Sequence, residues 1–259
     1  MSELLRRVRR YELEQVRERF APGDAVLELG GANGFQASII AGWGCNVSSF
    51  DIAGRPQATH MYHAVAEYDG VHLPLPDASI DIAFSSNVLE HVRCLPALLA
   101  ETRRVLKPGG IGIHILPTPA WRLWTIVAHY PFLAFAALHI RTGFVDWSDK
   151  EARQSRVNER GIPYFIKRIL WPGPHGEFPG ALTELVAYRA THWTRALESA
   201  GFVIESVAPM GIYYSGYGLF PNISTEMRCR MSRLLGSSTQ LIVARNTAMP
   251  GHDIPVTRA

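Results

Sequence analysis

The stretch from Ala25 to Gln36, AVLELGGANGFQ, constrains the fold more than any other part of the chain. Val26 to Leu29 is an apolar run broken by a single acid, Glu28, and it ends in Gly30, Gly31 and Gly34. An apolar run without alternation predicts a strand covered on both faces, as in parallel sheets wrapped by helices. Glycines after such a strand let a ligand approach the backbone closely, and the helix that follows offers unpaired N–H groups. Ligands of open parallel sheets settle outside the carboxyl ends of the strands, where strand order reverses. The first loop of such a sheet is that place.

The rest of the chain keeps the same rhythm. A helix is predicted over Phe35 to Ala41, a second strand ends at Asp51, and a third lies near His63 to Tyr68. IDIAFSS (80–86) reads as a buried strand by its apolar and β-branched residues. A helix from Pro96 to Leu106 is expected to stop at KPGG, where Pro108 removes a donor and two glycines permit a tight turn. IGIHIL is the next strand, THWTRALESAGFVIESVAP reads as helix, stop at Gly201 and strand, and TQLIVAR closes the series. Strands alternating with helices place the chain in the α/β class, with a doubly wound, mostly parallel sheet.

Leu4, Leu5, Val8, Tyr11 and Val16 recur at helical spacing among charges, so residues 2–20 read as an amphipathic helix covering an edge of the domain. The rhythm breaks at Pro117 and resumes near Thr191. The expected organisation is therefore a core of residues 1–116 with 191–259, an apolar insertion over 117–190, and a polar tail over 246–259. With 47% hydrophobic and 19% charged residues the chain is neither disordered nor a polytopic membrane protein. A net charge of +3 without a Lys/Arg run argues against a nucleic-acid partner. Cys45, Cys94 and Cys229 form no CxxC pair, which argues against a disulfide framework or a structural zinc site. The first twenty residues contain no apolar segment of the secretory type, so a cytoplasmic location is expected.

Spacing narrows the ligand. Asp51, about twenty residues after the glycine turn, is placed to accept bonds from ribose hydroxyls. The dinucleotide fingerprint would need glycines at Gly30, Ala32 and Phe35, of which two fail, and no Gly-Lys-Ser/Thr follows as in a phosphate-binding loop. An acid beside the glycines repels a phosphate and welcomes a cation. Glu28 therefore argues for a positively charged nucleoside, such as a sulfonium carrying an amino-acid tail.

VLELGGANG, FDI, YDGVHLPLPDASIDIAFSSNVLEHV and LKPGG, in that order, resemble the class I S-adenosylmethionine-dependent methyltransferases, in the branch called methyltransferase type 11. The family pattern D/E-x-G-x-G-x-G is matched by Glu28, Gly30 and Gly34, with Ala32 in place of the middle glycine. The resemblance is strong from Ala25 to about Leu116 and weak in the last helices and strands. It implies a seven-stranded Rossmann-like sheet with a helical lid after the fifth strand, and S-adenosylmethionine as cofactor. It also implies cofactor contacts for Gly30, Gly31 and Gly34, with Glu28 toward the amino group, Asp51 on the ribose hydroxyls and Ile52 against adenine. Asp69 and Gly70 match the place where the family binds the adenine amino group, a role preferred for Asp69 over the alternative of a simple turn cap. Ser86 and Asn87 match the wall beside the methionine moiety.

Methyl transfer from a sulfonium releases a neutral leaving group, so catalysis can be mostly positioning, and a base matters only for a weakly acidic acceptor hydroxyl. His91 is the first candidate base, weighed against a packing role in its short helix. The similar ubiquinone O-methyltransferases carry an E-x-x-E-H segment here that is associated with a metal ion. This chain has Asn87 at the first glutamate and keeps Glu90 and His91, so no metal is expected. His175 and Glu177, in the WPGPHGEFPGALTE segment, form the second catalytic constellation, with Glu184 close enough in sequence to join it; a solvated loop tip is the alternative. His114, inside the fifth strand, reads as a core histidine, and Tyr213, Tyr214 and Tyr217 read as packing aromatics.

The insertion contains WRLWTIVAHYPFLAFAALHI, about as long as a bilayer span, but Arg122, His129, Pro131 and His139 oppose that reading. Two short helices meeting at Pro131 and forming a lid are expected instead. Such a lid shelters an apolar acceptor, pairs two copies into a homodimer, or touches a membrane face through 121–140; lid packing ranks first. The function expected is methylation of a small-molecule oxygen, with a sugar hydroxyl of a surface-polysaccharide or glycolipid pathway first. A quinone, lipid or secondary metabolite is the rival acceptor. A non-catalytic protein that keeps the nucleoside pocket is the rival from another class.

Overall fold

The computed structural model describes residues 2–54, 60–140, 171–218 and 220–247. β1 (Ala25–Leu29) lies at the sheet's centre, paired in parallel with β2 (Asn46–Ile52) on one side and β4 (Ile80–Ser86) on the other. β3 (Val65–Tyr68) extends the sheet beyond β2, and β5 (Leu106–Pro117) continues it beyond β4. β7 (Thr239–Asn246) inserts antiparallel between β5 and β6 (Phe202–Pro209), giving the order β3-β2-β1-β4-β5-β7-β6. Strand order reverses between β1 and β4, so the crevice predicted from the glycine turn opens beyond the carboxyl ends of these two strands.

The central strands are buried on both faces, as the unalternating run of β1 foretold: Val26, Leu27, Leu29, Ala83 and Phe84 are all inaccessible to solvent or nearly so. His114 sits in this core with its Nδ1 2.8 Å from Ser85 Oγ. Burial without a charged partner lowers its pKa to about 4, so it is a neutral core imidazole.

Seven helices accompany the sheet in the described residues. α1 (Glu3–Glu14) starts at Ser2, whose side chain accepts from Leu5 N, and buries Leu4, Val8, Arg9, Glu12 and Leu13. α2 (Phe35–Gly42) follows the glycine turn, and α3 (Leu95–Val105) has Pro96 in its first turn. The chain does not make a separate turn at KPGG: β5 begins at Leu106 and absorbs Lys107 to Gly110, with a register shift opposite Ile80/Ile82 that takes up the irregularity.

α4 (Pro119–Ile140) corrects the expectation of two helices meeting at Pro131, because one helix continues through that residue. Proline removes one backbone hydrogen bond, but Trp121, Arg122, Thr125, Ile126, Ala128 and His129 are buried on the body of the domain, and that packing overrides local propensity. Among the described residues no helix is long and apolar enough to cross a membrane. α5 (Ala181–Ala187) packs on α4, α6 (Ala190–Ser199) buries Trp193 and Leu197, and α7 (Thr225–Leu235) precedes β7. The sequence pattern had singled out neither α5 nor α7. The central part of the insertion, 141–170, and the tail 248–259 lie outside the described residues; Asn246, placed with the tail by sequence, pairs with Phe202 in the sheet.

Candidate cofactor and active site

The glycine turn is shaped by what stands behind it. A Cβ on Gly31 would lie 2.0 Å from Ser49 Oγ and 2.9 Å from Glu28 Oε2, so only glycine leaves room for that pair. Gly34 caps α2 in the left-handed region at φ +73°, and a Cβ there would meet the His63 backbone at 2.5 Å. Ala32, the family's middle glycine, also adopts positive φ, at +50°. Its methyl group is therefore carried at a backbone conformation that favours glycine.

Glu28 does not face the open crevice. It lies buried behind Gly31, accepting a 2.5 Å hydrogen bond from Ser49 Oγ. Burial raises its pKa to about 7, with the Ser49 hydroxyl, His63 and the Ala37 amide acting in the opposite direction. A folded-state pKa above the unfolded one means that the native protein binds more protons, so the contribution to stability falls as pH rises between about 4.5 and 7. Urea unfolding over this range should show stability decreasing with pH, and Glu28→Gln should flatten the slope. An unchanged slope in that variant would refute the assignment.

A cavity of about 660 Å³ opens in front of the turn, lined by Gly30, Gly31, Asp51, Ile52, Asp69, Gly70, Ser86 and Asn87. Gly34 and Glu28 support this wall from behind. Asp51, at the tip of β2, accepts from Ala32 N through Oδ2 and from Ile52 N through Oδ1, both at 2.8 Å, so the carboxylate also ties β2 to the glycine turn. Asp69 is engaged within its own turn: Oδ1 accepts from Val71 N and His72 N, and Oδ2 meets His72 Nδ1 at 2.6 Å. The imidazole contact and the two amides hold its carboxyl down at about 2. Asp69 thus lines the cavity and caps a turn at once. Asn87 adopts φ +54° and donates its backbone N–H to Ile115 O at 2.8 Å. With its carboxamide oxygen turned to Arg9, that oxygen accepts from Nη1 at 2.8 Å and from Nη2 at 3.1 Å.

The structure brings the two candidate catalytic segments together. The 3₁₀ turn Leu89–His91 leaves β4 with Glu90 buried and His91 on the cavity wall. The His175–Glu177 turn docks on it: Glu177 N donates to Glu90 O at 2.8 Å, and a Cβ on Gly176 would lie 2.3 Å from that oxygen. Glu184 does join the constellation, accepting from His175 N at 2.6 Å and Gly176 N at 2.7 Å, while Arg122 Nε approaches its other oxygen at 2.7 Å. The imidazoles of His91 and His175 lie 4.7 Å apart, centroid to centroid, and His175 meets the edge of Trp121 at 4.6 Å. His175 keeps a solvent-facing side. Its desolvated ring nitrogens and the nearby His91, Arg122 and Arg9 still press its pKa below the usual imidazole range. Glu177 lies at the mouth of the cavity and pairs with Arg93 at 3.4 Å.

Glu90 is the residue that sequence reasoning undervalued. Among the described residues neither carboxylate oxygen takes a hydrogen bond from another residue, and burial raises its pKa to about 8, with its own backbone amide and Arg9 opposing and Glu184 adding to the rise. His91 Nε2 lies 3.9 Å from Glu90 Oε1. Together with His175 these residues hold one carboxylate and two imidazoles within 4.8 Å, a donor set of the kind that divalent metals take. Asn87 is turned to Arg9 and stands apart from that set. Arg9 and Arg122 were also missed. The signal for Arg9 was present: Arg9 and Glu12, three residues apart, fall on the apolar stripe of α1, where a charge requires a partner.

An open sheet with strand order 3-2-1-4-5-7-6, an antiparallel seventh strand and a glycine turn facing a crevice at the β1/β4 reversal define the class I methyltransferase fold. The family model of the methyltransferase domain of type 11 matches residues 27–113, about a third of the chain. Among curated proteins, the malonyl-acyl-carrier-protein O-methyltransferase of Serratia marcescens is 37% identical over 94 residues, 35% of this chain and 37% of the relative. The chain spans less than half the length of the curated relatives it matches. Among solved structures, the methyltransferase bound to the Trm112 methyltransferase activator of Haloferax volcanii aligns with a TM-score of 0.54 at 15% identity, over 93% of this chain and 91% of that one. An S-adenosylmethionine-dependent methyltransferase from Mesorhizobium loti aligns with a TM-score of 0.51 at 16% identity, over 91% and 97%.

Proposed function

We propose that the protein is an S-adenosylmethionine-dependent methyltransferase acting on the hydroxyl of a small molecule. The observation that carries this reading is the cavity at the β1/β4 reversal, walled by a side-chain-free turn and by Asp51, with His91 on the same wall. The residues suit the cofactor: Gly30 and Gly31 leave the close approach that a side chain would fill, and Asp51 stands where ribose hydroxyls donate. Ile52 offers an apolar face for adenine beside Asp69 and Gly70, and Ser86 and Asn87 flank the amino-acid end. S-adenosylmethionine bound there supplies an electrophilic methyl group.

The chain's own part is to hold the acceptor, exclude water and move one proton. The imidazole of His91 is placed to take the acceptor's hydroxyl proton, with the buried Glu90 beside it. His175, packed edge-on against His91 and held through its backbone by Glu184, positions that imidazole. Glu177 at the mouth offers a polar contact to a hydroxyl-rich acceptor. A sugar hydroxyl, free or on a lipid carrier, is the acceptor favoured, and contact of the 121–140 segment with a membrane face or with a second copy belongs to the same proposal.

The test is acceptor-dependent formation of S-adenosylhomocysteine across panels of sugars, glycolipids, quinones and acyl carriers. His91→Ala should reduce turnover by roughly 10²- to 10⁴-fold, while S-adenosylhomocysteine affinity changes by only a few-fold. Undiminished turnover in His91→Ala would remove the base. Product formation with none of the panel would count against a hydroxyl acceptor.

A further inference from the structure

α4 turns an apolar stripe outward. Leu123, Val127 and Tyr130 are 46–47% exposed, and Pro131 and Ala134 are exposed beside them. Positions 123, 127, 130 and 134 fall on one helix face, opposite the face that packs on the domain through Trp121, Thr125 and Ala128. α5 packs beside α4 and exposes Leu182 and Val186, one turn apart. α7 meets the start of α4, where Leu235 O accepts from Trp124 Nε1 at 2.8 Å, and it exposes the neighbouring Leu234. Further along α4, Phe132 stacks on Tyr217 at 4.8 Å between ring centroids, shortly before the exposed Phe220. Single exposed apolar residues are ordinary on a protein surface, whereas a helix stripe with apolar neighbours on both flanks marks a contact site.

The charges around the stripe say what covers it. α4 contains no acidic residue, and α7 carries three arginines against one glutamate. Arg189, just past the end of α5, and Arg233, next to Leu234, are exposed. Arg7 of α1 donates to Pro221 O beside Phe220, and Arg10 is exposed on the same helix. An apolar helix face framed by arginines suits a layer that is anionic outside and apolar beneath, which is the interface of a bilayer with anionic headgroups. Arginine stems can lie along the apolar surface while their guanidinium groups stay among lipid phosphates. A second copy docked through the same face would set these arginines against its own. We propose that α4 lies in the plane of an anionic membrane surface, with Leu123, Val127 and Tyr130 at the boundary of headgroups and acyl chains and Arg189 and Arg233 against lipid phosphates. This contact commits the protein to an acceptor presented by the membrane, which rests on the methyltransferase reading above. α1 links the two sites, since its Arg7 holds Pro221 and its Leu5 lines the cavity.

The test is flotation of the full chain with lipid vesicles, which needs neither methyl donor nor acceptor. Wild-type protein should float with vesicles of equal parts phosphatidylcholine and phosphatidylglycerol, and roughly 10-fold less with phosphatidylcholine alone. Leu123→Ser/Val127→Ser should cut partitioning into the mixed vesicles by roughly 10-fold, and Arg189→Ala/Arg233→Ala by a similar factor. Both variants should keep the wild-type circular dichroism spectrum, because the altered side chains are exposed. Wild-type protein that does not float, or that binds both vesicle types equally, would overturn the proposal. So would undiminished flotation of Leu123→Ser/Val127→Ser. A wild-type dimer in sedimentation that the same substitutions dissociate would give the stripe to a second copy and overturn it as well. Flotation by a protein that binds no S-adenosylhomocysteine would leave the membrane contact standing and remove the methyltransferase reading instead.

Discussion

Arg122→Met should lower the free energy of unfolding by roughly 3–5 kcal/mol, the largest stability effect expected from any single change in the insertion. Arg122 and Glu184 are both almost wholly buried, and their ion pair at 2.7 Å joins α4 to α5. Arg122 also donates to Gly173 O at 2.5 Å, while Glu184 receives the amides of His175 and Gly176, so the pair holds both ends of the turn that carries His175. Removing the arginine alone strands a buried carboxylate close to Glu90, whose own burial is already costly. Removing both charges, as Arg122→Met with Glu184→Gln, avoids that stranded charge, so the double variant should be more stable than Arg122→Met alone. Urea unfolding of the three proteins decides the matter. A loss below about 1 kcal/mol in Arg122→Met would mean that the pair is screened as at a surface and does not organise the turn.

Asp51→Ala should weaken S-adenosylhomocysteine binding by roughly 100-fold or more, since two hydrogen bonds to a carboxylate contribute about 1.5–3 kcal/mol each. The aspartate serves the site twice. It faces the cavity and, through Ala32 N and Ile52 N, fixes the glycine turn against β2. Asp51→Asn keeps one oxygen for the Ala32 amide and should fall between wild type and Asp51→Ala. Calorimetry that finds Asp51→Ala binding as wild type does would place the nucleoside elsewhere.

The parts of this molecule that were legible in its sequence are those fixed by local chemistry. An apolar run ending in glycines located β1 and its turn to the residue, because buried parallel strands do not alternate and because Gly31 has nowhere to put a Cβ. The helix after that turn and the position of Asp51 followed from the same spacing. Where sequence reasoning diverged, tertiary packing had overruled local signals. Pro131 reads as a break, yet α4 continues through it, with the turns that precede it packed on the domain through Trp121, Arg122, Thr125, Ile126, Ala128 and His129. KPGG does end the helix, α3 stopping at Val105, but its residues belong to β5 as a bulge between the pairs Ile80–Leu106 and Ile82–Ile111, which only pairing across the sheet reveals. Residue pattern does not carry strand direction, so the antiparallel insertion of β7 between β5 and β6 was not legible in a sequence read only as a mostly parallel sheet.

The site divides in the same way. The proposed cofactor wall is a string of local motifs at strand tips, and Gly30, Gly31, Asp51, Ile52, Asp69, Gly70, Ser86 and Asn87 fall around one cavity. The proposed catalytic cluster is assembled from residues 84 positions apart, His91 and His175, and their meeting depends on a docked turn that no periodicity announces. Glu90 was noted in sequence only as the remnant of a metal-associated segment; its significance comes from complete burial beside His91, which only folding reveals. Arg9 belonged to a helix that read as an edge cover, and the charge on its apolar stripe was the overlooked clue.

A crystal structure of the protein soaked with S-adenosylhomocysteine tests the central claim most directly. The account predicts electron density with both ribose hydroxyls within hydrogen-bond distance of the Asp51 carboxylate, adenine against Ile52, and the amino-acid tail running past Asn87 toward α1. An empty crevice at saturating ligand, or a nucleoside seated away from Asp51, would contradict it.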